Sequence, residues 1–174
     1  MPYAIGLYVF AWPWAWLSSD HVAVIRTVTA TADVIAAGLL YPLVVSAWGD
    51  RRAGVFAVLA FQLAPLPFGV LGNANLANIF GQSVALVTMA AAVTWRLEPR
   101  RLASLAGFAL ILAWALCSHV STVATLAGTL GLLVILYFWR GDADRRRSAA
   151  SLVLATAVAA AIAWFLYYRH FSEE

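Results

Sequence analysis

The chain contains no lysine; all eleven of its basic residues are arginine. It has one cysteine, Cys117, so no disulfide can form within it and its redox compartment is left open. Charged residues make up only 11% of it, where a soluble domain carries about 25%. Apolar residues fill the gap, at 64% against about 45–50% in an ordinary globule, with a mean hydropathy of +0.85. This composition excludes a water-soluble domain of 174 residues. No Cys/His cluster with zinc spacing, no glycine-rich phosphate loop after a strand and no nucleophile elbow is present. Neither a metal nor a cofactor is therefore expected. The N-terminus lacks a basic region and a small-residue cleavage site, so it does not read as a signal peptide.

Seven apolar runs are present: Tyr3–Leu17, Val22–Trp48, Ala53–Leu71, Leu76–Trp95, Leu102–Ser118, Val120–Trp139 and Ser148–Tyr168. A membrane-spanning helix needs about 20 apolar residues, and in lipid a backbone must satisfy its own hydrogen bonds. The runs therefore predict an all-α, polytopic transmembrane bundle of six or seven helices, forming one domain over residues 1–174 with the lipid bilayer as its surroundings. The first run is short and carries Trp12, Trp14 and Trp16 around Pro13. It either spans with a kink or lies in the interface, where Trp is favoured. Residues 21–168 hold six spanning runs, and an external tail follows at 169–174. Gln62, Pro65 and Pro67 are expected to break or bend the third run near its end.

A pI of 9.4 invites a nucleic-acid partner. No basic helix face with interleaved aromatics supports one, and none is expected. The arginines fall instead in alternate connections: Arg51 and Arg52; Arg96, Arg100 and Arg101; Arg140, Arg145, Arg146 and Arg147. The intervening connections, Ser18–His21, Gly72–Asn75 and Cys117–His119, contain none. Positive charge is retained on the cytoplasmic side, so all three arginine-bearing loops are assigned there. Asp142-Ala143-Asp144 spells a D-x-D pattern, but among four arginines it reads as charge balance rather than a metal site.

Polar groups inside the membrane are costly and mark candidate sites. Asp33 lies midway along the second run, where a charged Asp costs about 2.5–3.5 kcal/mol. Arg26 lies two turns above it on nearly the same face. Either the two form a charged wall facing a substrate, or Arg26 reaches the interface while Asp33 pairs with a neighbouring helix. Asn75, Asn78 and Gln82 make one polar stripe at the outer end of the fourth run, with Asn73 just before it. The stripe faces a wet cavity or bonds between helices. His119, between Ser118 and Ser121, is a capping residue or a contact to an anionic headgroup.

The order of these features resembles the GT-C glycosyltransferases, in particular the relatives of dolichyl-phosphate-mannose–protein mannosyltransferases and their bacterial cousins. The resemblance rests on Val24-Ile25-Arg26 leading to Leu40-Tyr41-Pro42-Leu43, an Arg-Arg turn, the stretch GNANLANIFGQSVAL at Gly72–Leu86, and CSHVST at Cys117–Thr122. It covers roughly residues 3–168. It implies a bacterial inner (plasma) membrane protein that transfers a sugar from a polyprenyl-phosphate donor at the outer face. In the family a carboxylate in the first external loop is the general base. Here Asp20 is the one acid near that position and a poor substitute. Arg26, Asp33, Asn75, Asn78, Gln82 and His119 are the candidate donor-binding residues, although Arg26, His119 and Arg169 match no invariant family residue. The second external loop carries Asn where the family often has acids, which speaks against a metal. Tyr3–Leu17 resembles the region just after the catalytic loop, so the chain is expected to be incomplete at its N-terminus and inactive alone. Two other readings stay open: a small transporter or channel subunit using the Asp33/Asn/Gln stripe as a polar path, and a non-catalytic scaffold that serves as a membrane partner subunit.

Overall fold

The computed structural model describes residues 5–63, 75–95, 97 and 101–171. Seven α-helices and no strand are present among them. They are α1 (Gly6–Ala11), α2 (His21–Trp48), α3 (Arg51–Leu63), α4 (Leu76–Thr94), α5 (Leu102–Ser118), α6 (Val120–Arg140) and α7 (Ala143–Leu166). Short 3₁₀ turns follow α1 at Trp12–Leu17 and α7 at Tyr168–Phe171. Pro65, Pro67, Asn73, Arg96, Arg100 and the last three residues, on which several sequence expectations fall, lie outside the described residues.

Four helices are long and apolar enough to cross a membrane: α2, α4, α6 and the span Ala143–His170 that includes α7. The chain is an integral membrane protein. At 1.5 Å per residue the 28 residues of α2 reach about 42 Å, more than the hydrocarbon thickness of about 30 Å. The 17 residues of α5 reach about 25 Å and pack against α1, α4, α6 and α7. Its Phe108, Leu112 and Ala115 are almost completely buried.

Each turn has a local cause. Asp20 caps α2, accepting from the N–H groups of Val22 (3.1 Å) and Ala23 (3.0 Å). Gly49 ends α2 at φ 69°, a left-handed conformation that glycine adopts without a side-chain clash, and its N–H bonds Val45 O at 2.8 Å. Asp50 then accepts from Arg52 N at 2.8 Å, and the chain reverses into α3. Asp142 caps α7 through Arg145 N at 2.9 Å. The cap starts α7 five residues earlier than the hydrophobic run. Arg145, Arg146 and Arg147 are therefore helical rather than part of the expected loop, with Asp144 paired to Arg147 at 3.4 Å. The D-x-D carboxylates thus have a cap and an ion pair as their roles.

Among the described residues α4, α5, α6 and α7 form a cluster that α2 and α3 extend on one side. α3 lies against α2, α2 against α4, α4 against α5 and α6, and both of these against α7. Small residues permit close approach where the hydrophobic effect between helices is weak. At Gly54 an added Cβ would lie 2.8 Å from both Tyr41 Cδ2 and Val45 Cγ2. The main core is alanine and leucine from α4 to α7, including Ala91, Leu112, Leu126, Leu152 and Ala159.

The first run does not cross the membrane as one helix. Six α-helical residues rise about 9 Å and six 3₁₀ residues about 12 Å, short of about 30 Å. α1 is instead wedged among α2, α4 and α5 at the end of the bundle opposite the Gly49 and Gly141 turns. Leu7 is fully buried, and the Phe10 ring meets Phe80 at 5.4 Å and Trp114 at 6.0 Å. Gly6 sits against Ser118, where no side chain would fit. Trp12 and Trp16, each 80% exposed, lie on the 3₁₀ turn that leads to the start of α2.

Candidate functional site at one end of the bundle

The N-terminus of α4, the α5–α6 turn and the C-terminus of α7 meet at one end. Tyr168 Oη donates to Leu116 O at 2.8 Å, which ties the end of the chain to α5. Close approach of α4 to α6 is set by Gly81, whose hypothetical Cβ would lie 2.7 Å from Thr122 Oγ1 and 2.9 Å from His119 Cβ.

This approach puts the Asn78 side chain within reach of the next helix. Ser121 Oγ donates to Asn78 Oδ1 at 3.1 Å. Gln82 Nε2 approaches the same oxygen at 3.5 Å, one turn further in. His119 Nδ1 lies 2.7 Å from Ser121 Oγ. With the serine proton committed to Asn78, that contact requires Nδ1–H as donor, which makes a chain from imidazole through hydroxyl to amide. In the other tautomer Nδ1 accepts from the Ser121 backbone N–H, 3.2 Å away, and caps α6. The two tautomers exchange a helix cap for a continuous polar chain.

Asn75 lies at the outer rim and caps α4 through Asn78 N at 3.3 Å. Below the network Thr122 Oγ1 is buried without a hydrogen-bond partner. Thr125 and Thr129 on α6 donate to carbonyls of their own helix, at 3.1 Å and 2.7 Å. Ser83 and Thr88 on α4 do the same at 2.9 Å and 2.8 Å. No polar chain therefore continues toward the arginine-bearing end among the described residues.

Four of the sequence candidates, Asn75, Asn78, Gln82 and His119, thus come together. Ser121 and Gly81 complete the group, although neither stood out in the sequence. The signal for Ser121 was its position two residues after His119, the spacing of a side-chain cap. Arg26 and Asp33 do not join this site. Asp33 lies on the flank of α2 that faces α3, its carboxylate against the side-chain amide of Gln62, whose Nε2 is buried; Arg26 is two turns away on nearly the same face of α2. Arg26 is exposed and makes no hydrogen bond or ion pair among the described residues. The Asp20 carboxylate is engaged as a helix cap and is the only described carboxylate at this end of the bundle. Among the described residues no group of three or more His, Cys, Asp or Glu could hold a metal ion. Compared with known proteins, the chain matches no family model, no curated protein and no solved structure.

Proposed function

We propose that this integral membrane protein is the multi-helix core of a GT-C-like glycosyltransferase in the inner membrane of a bacterium. In this reading it holds a polyprenyl-phosphate-linked sugar at the outer end of the bundle and does not supply the catalytic base itself. One observation carries the proposal: Gln82, Asn78, Ser121 and His119 form a hydrogen-bonded polar network at that end, above an apolar bundle. Amide, hydroxyl and imidazole groups suit sugar hydroxyls, and a protonated imidazole suits the phosphate. The tail of such a donor would remain in the bilayer beside the helices. The engaged Asp20 explains why transfer needs a base from elsewhere. A transporter is disfavoured because the hydroxyls below the network are spent on their own helices.

The test uses the full chain in phosphatidylethanolamine–phosphatidylglycerol vesicles with a photoreactive polyprenyl-phosphate hexose. Labelling should be competed by the unmodified donor and not by the polyprenol alone. Asn78→Ala and His119→Ala, checked for retained helicity, should each lower it severalfold. Labelling equal to that by the polyprenol, or unchanged in both variants, would favour the non-catalytic scaffold instead.

A further inference from the structure

The arginine-bearing end of the bundle is not explained by a donor site at the opposite end. α6 has 21 residues and is about 32 Å long, which matches the hydrocarbon thickness of about 30 Å. With Ser121 at one surface of the membrane, Trp139 and Arg140 reach the other. The chain reverses at Gly141, and α7 carries Arg145, Arg146 and Arg147 near its start. The reversal is tight. A Cβ on Gly141 would collide with Tyr137 O and lie 2.7 Å from Arg145 Cβ, so the stem of Arg145 rests against the turn itself. Arg140, Arg145 and Arg146 therefore leave the chain around one turn, each within about 5 Å of it along its helix axis.

The protein does not neutralise these three guanidinium groups. All three residues are exposed, and none has a side-chain hydrogen bond or ion pair among the described residues. The two acids of the turn are committed elsewhere: Asp142 accepts from Arg145 N at 2.9 Å, and Asp144 pairs with Arg147 at 3.4 Å. Four arginines against two aspartates leave the turn positive. The α4–α5 connection at the same end adds to that charge, with Glu98 among Arg96, Arg100 and Arg101. Trp139, 80% exposed, directly precedes Arg140. Trp is favoured where hydrocarbon meets headgroups, so the guanidinium groups beside it stand at headgroup depth.

We infer that the α6–α7 turn binds the phosphate of an anionic phospholipid, with Arg140, Arg145 and Arg146 around the headgroup and Trp139 beside the lipid's glycerol region. Guanidinium groups take phosphate oxygens through paired hydrogen bonds. A headgroup with net negative charge keeps an attraction that a zwitterionic one offsets with its own cation. Orienting the chain during insertion does not require this convergence, since arginines spread along a short loop act equally well. A soluble acidic partner would meet the arginines but would leave the exposed Trp139 unexplained.

The test uses the full chain in phosphatidylcholine nanodiscs, with a fluorophore on the exposed Ala143→Cys in a Cys117→Ser background. Nanodiscs present both membrane faces, so the direction of insertion does not matter. Spin-labelled phosphatidylglycerol or spin-labelled phosphatidylcholine is the quencher. Half-quenching should need about fivefold to thirtyfold less phosphatidylglycerol, the effect of one or two guanidinium groups engaged. The advantage should shrink at high salt. Arg140→Gln, Arg145→Gln and Arg146→Gln together should abolish it, whereas Arg51→Gln with Arg52→Gln, at the other turn, should not. The two lipids are compared on one protein, so that result does not depend on how the variants fold. Equal quenching by both lipids would overturn the inference, as would an advantage that survives the triple substitution. Competition by inorganic phosphate beyond that of sodium chloride at equal ionic strength would assign the turn to free phosphate instead. Displacement of the lipid by a Glu-rich peptide under the same control would assign it to an acidic protein segment.

Discussion

Asn78 and Ser121 stand 43 residues apart in the chain and share a hydrogen bond of 3.1 Å between the first turns of two different helices. Bonds between membrane helices stabilise by about 0.6 kcal/mol on average and about 1.7 kcal/mol at most, because the separated helices find other partners. Asn78→Ala and Ser121→Ala should therefore each lower stability modestly. A double-mutant cycle read from unfolding in detergent should give a coupling in the same range. Strict additivity would mean that the bond contributes orientation but no measurable stability.

The approach that permits this bond depends more heavily on Gly81. A methyl group there would press on Thr122 Oγ1 and His119 Cβ, at 2.7 Å and 2.9 Å. Gly81→Ala should lower stability by about 1–3 kcal/mol, as overpacking commonly does. Gly128, on the other side of the α4–α6 contact in sequence, has nothing within 4 Å of such a methyl group. Gly128→Ala should change stability by less than about 0.5 kcal/mol. Thr122→Ala should restore only part of the loss at position 81, since His119 Cβ remains in place.

The fold was legible in the sequence because lipid allows few alternatives. Apolar runs long enough to span must be helices. Two elements were harder to read. The start of α7 was misplaced because hydropathy cannot register Asp142, whose cap lets three arginines enter the helix. The Tyr3–Leu17 run had two readings because Trp and Pro are compatible with both. What decides between them is the fit of Gly6 against Ser118 and of Phe10 against Phe80 and Trp114, contacts that join distant segments. The same limit applies to the site. That Asn78, Gln82 and His119 lie at the end away from the Gly49 and Gly141 turns was readable from each helix alone. The separation of Arg26 and Asp33 from them was not, because it depends on which neighbour each flank of α2 meets.

The α1 wedge leads to a prediction about the outer interface. Leu7 is fully buried, and a Cβ at Gly6 would collide with Ser118. Gly6→Leu should displace the wedge and lower stability, whereas Trp12→Ala should leave packing nearly intact, because Trp12 is 80% exposed. Limited proteolysis from the outer side measures the difference. The 3₁₀ turn should become cleavable in the first variant and remain protected in the second.

Membrane orientation can be tested at the turns. The Gly49–Asp50 and Gly141–Asp142 turns lie at one end of α2 and α6, beside exposed Arg51, Arg52, Arg140, Arg145 and Arg146. Asn75 and His119 begin α4 and α6 at the opposite end. Retention of arginine on the cytoplasmic side acts on short loops and within about 15–20 residues of the helix ends, a condition both turns meet. Single cysteines introduced at Asp50 and Ala143, the latter exposed beside the Gly141 turn, in a Cys117→Ser background should react with a membrane-impermeant maleimide only after the cells are opened. A cysteine at position 121, beside Asn78, should react in intact cells, since Ser121 is exposed. Replacing Arg51 and Arg52 together with Glu should weaken the preference at the first turn while leaving the Gly141 turn inside, because Arg140 and Arg145–Arg147 still hold it. Labelling of position 50 or 143 in intact cells of the Cys117→Ser background, with Arg51 and Arg52 in place, would invert the bundle and place the Asn78–Ser121–His119 network in the cytoplasm, where a donor at the outer face could not reach it.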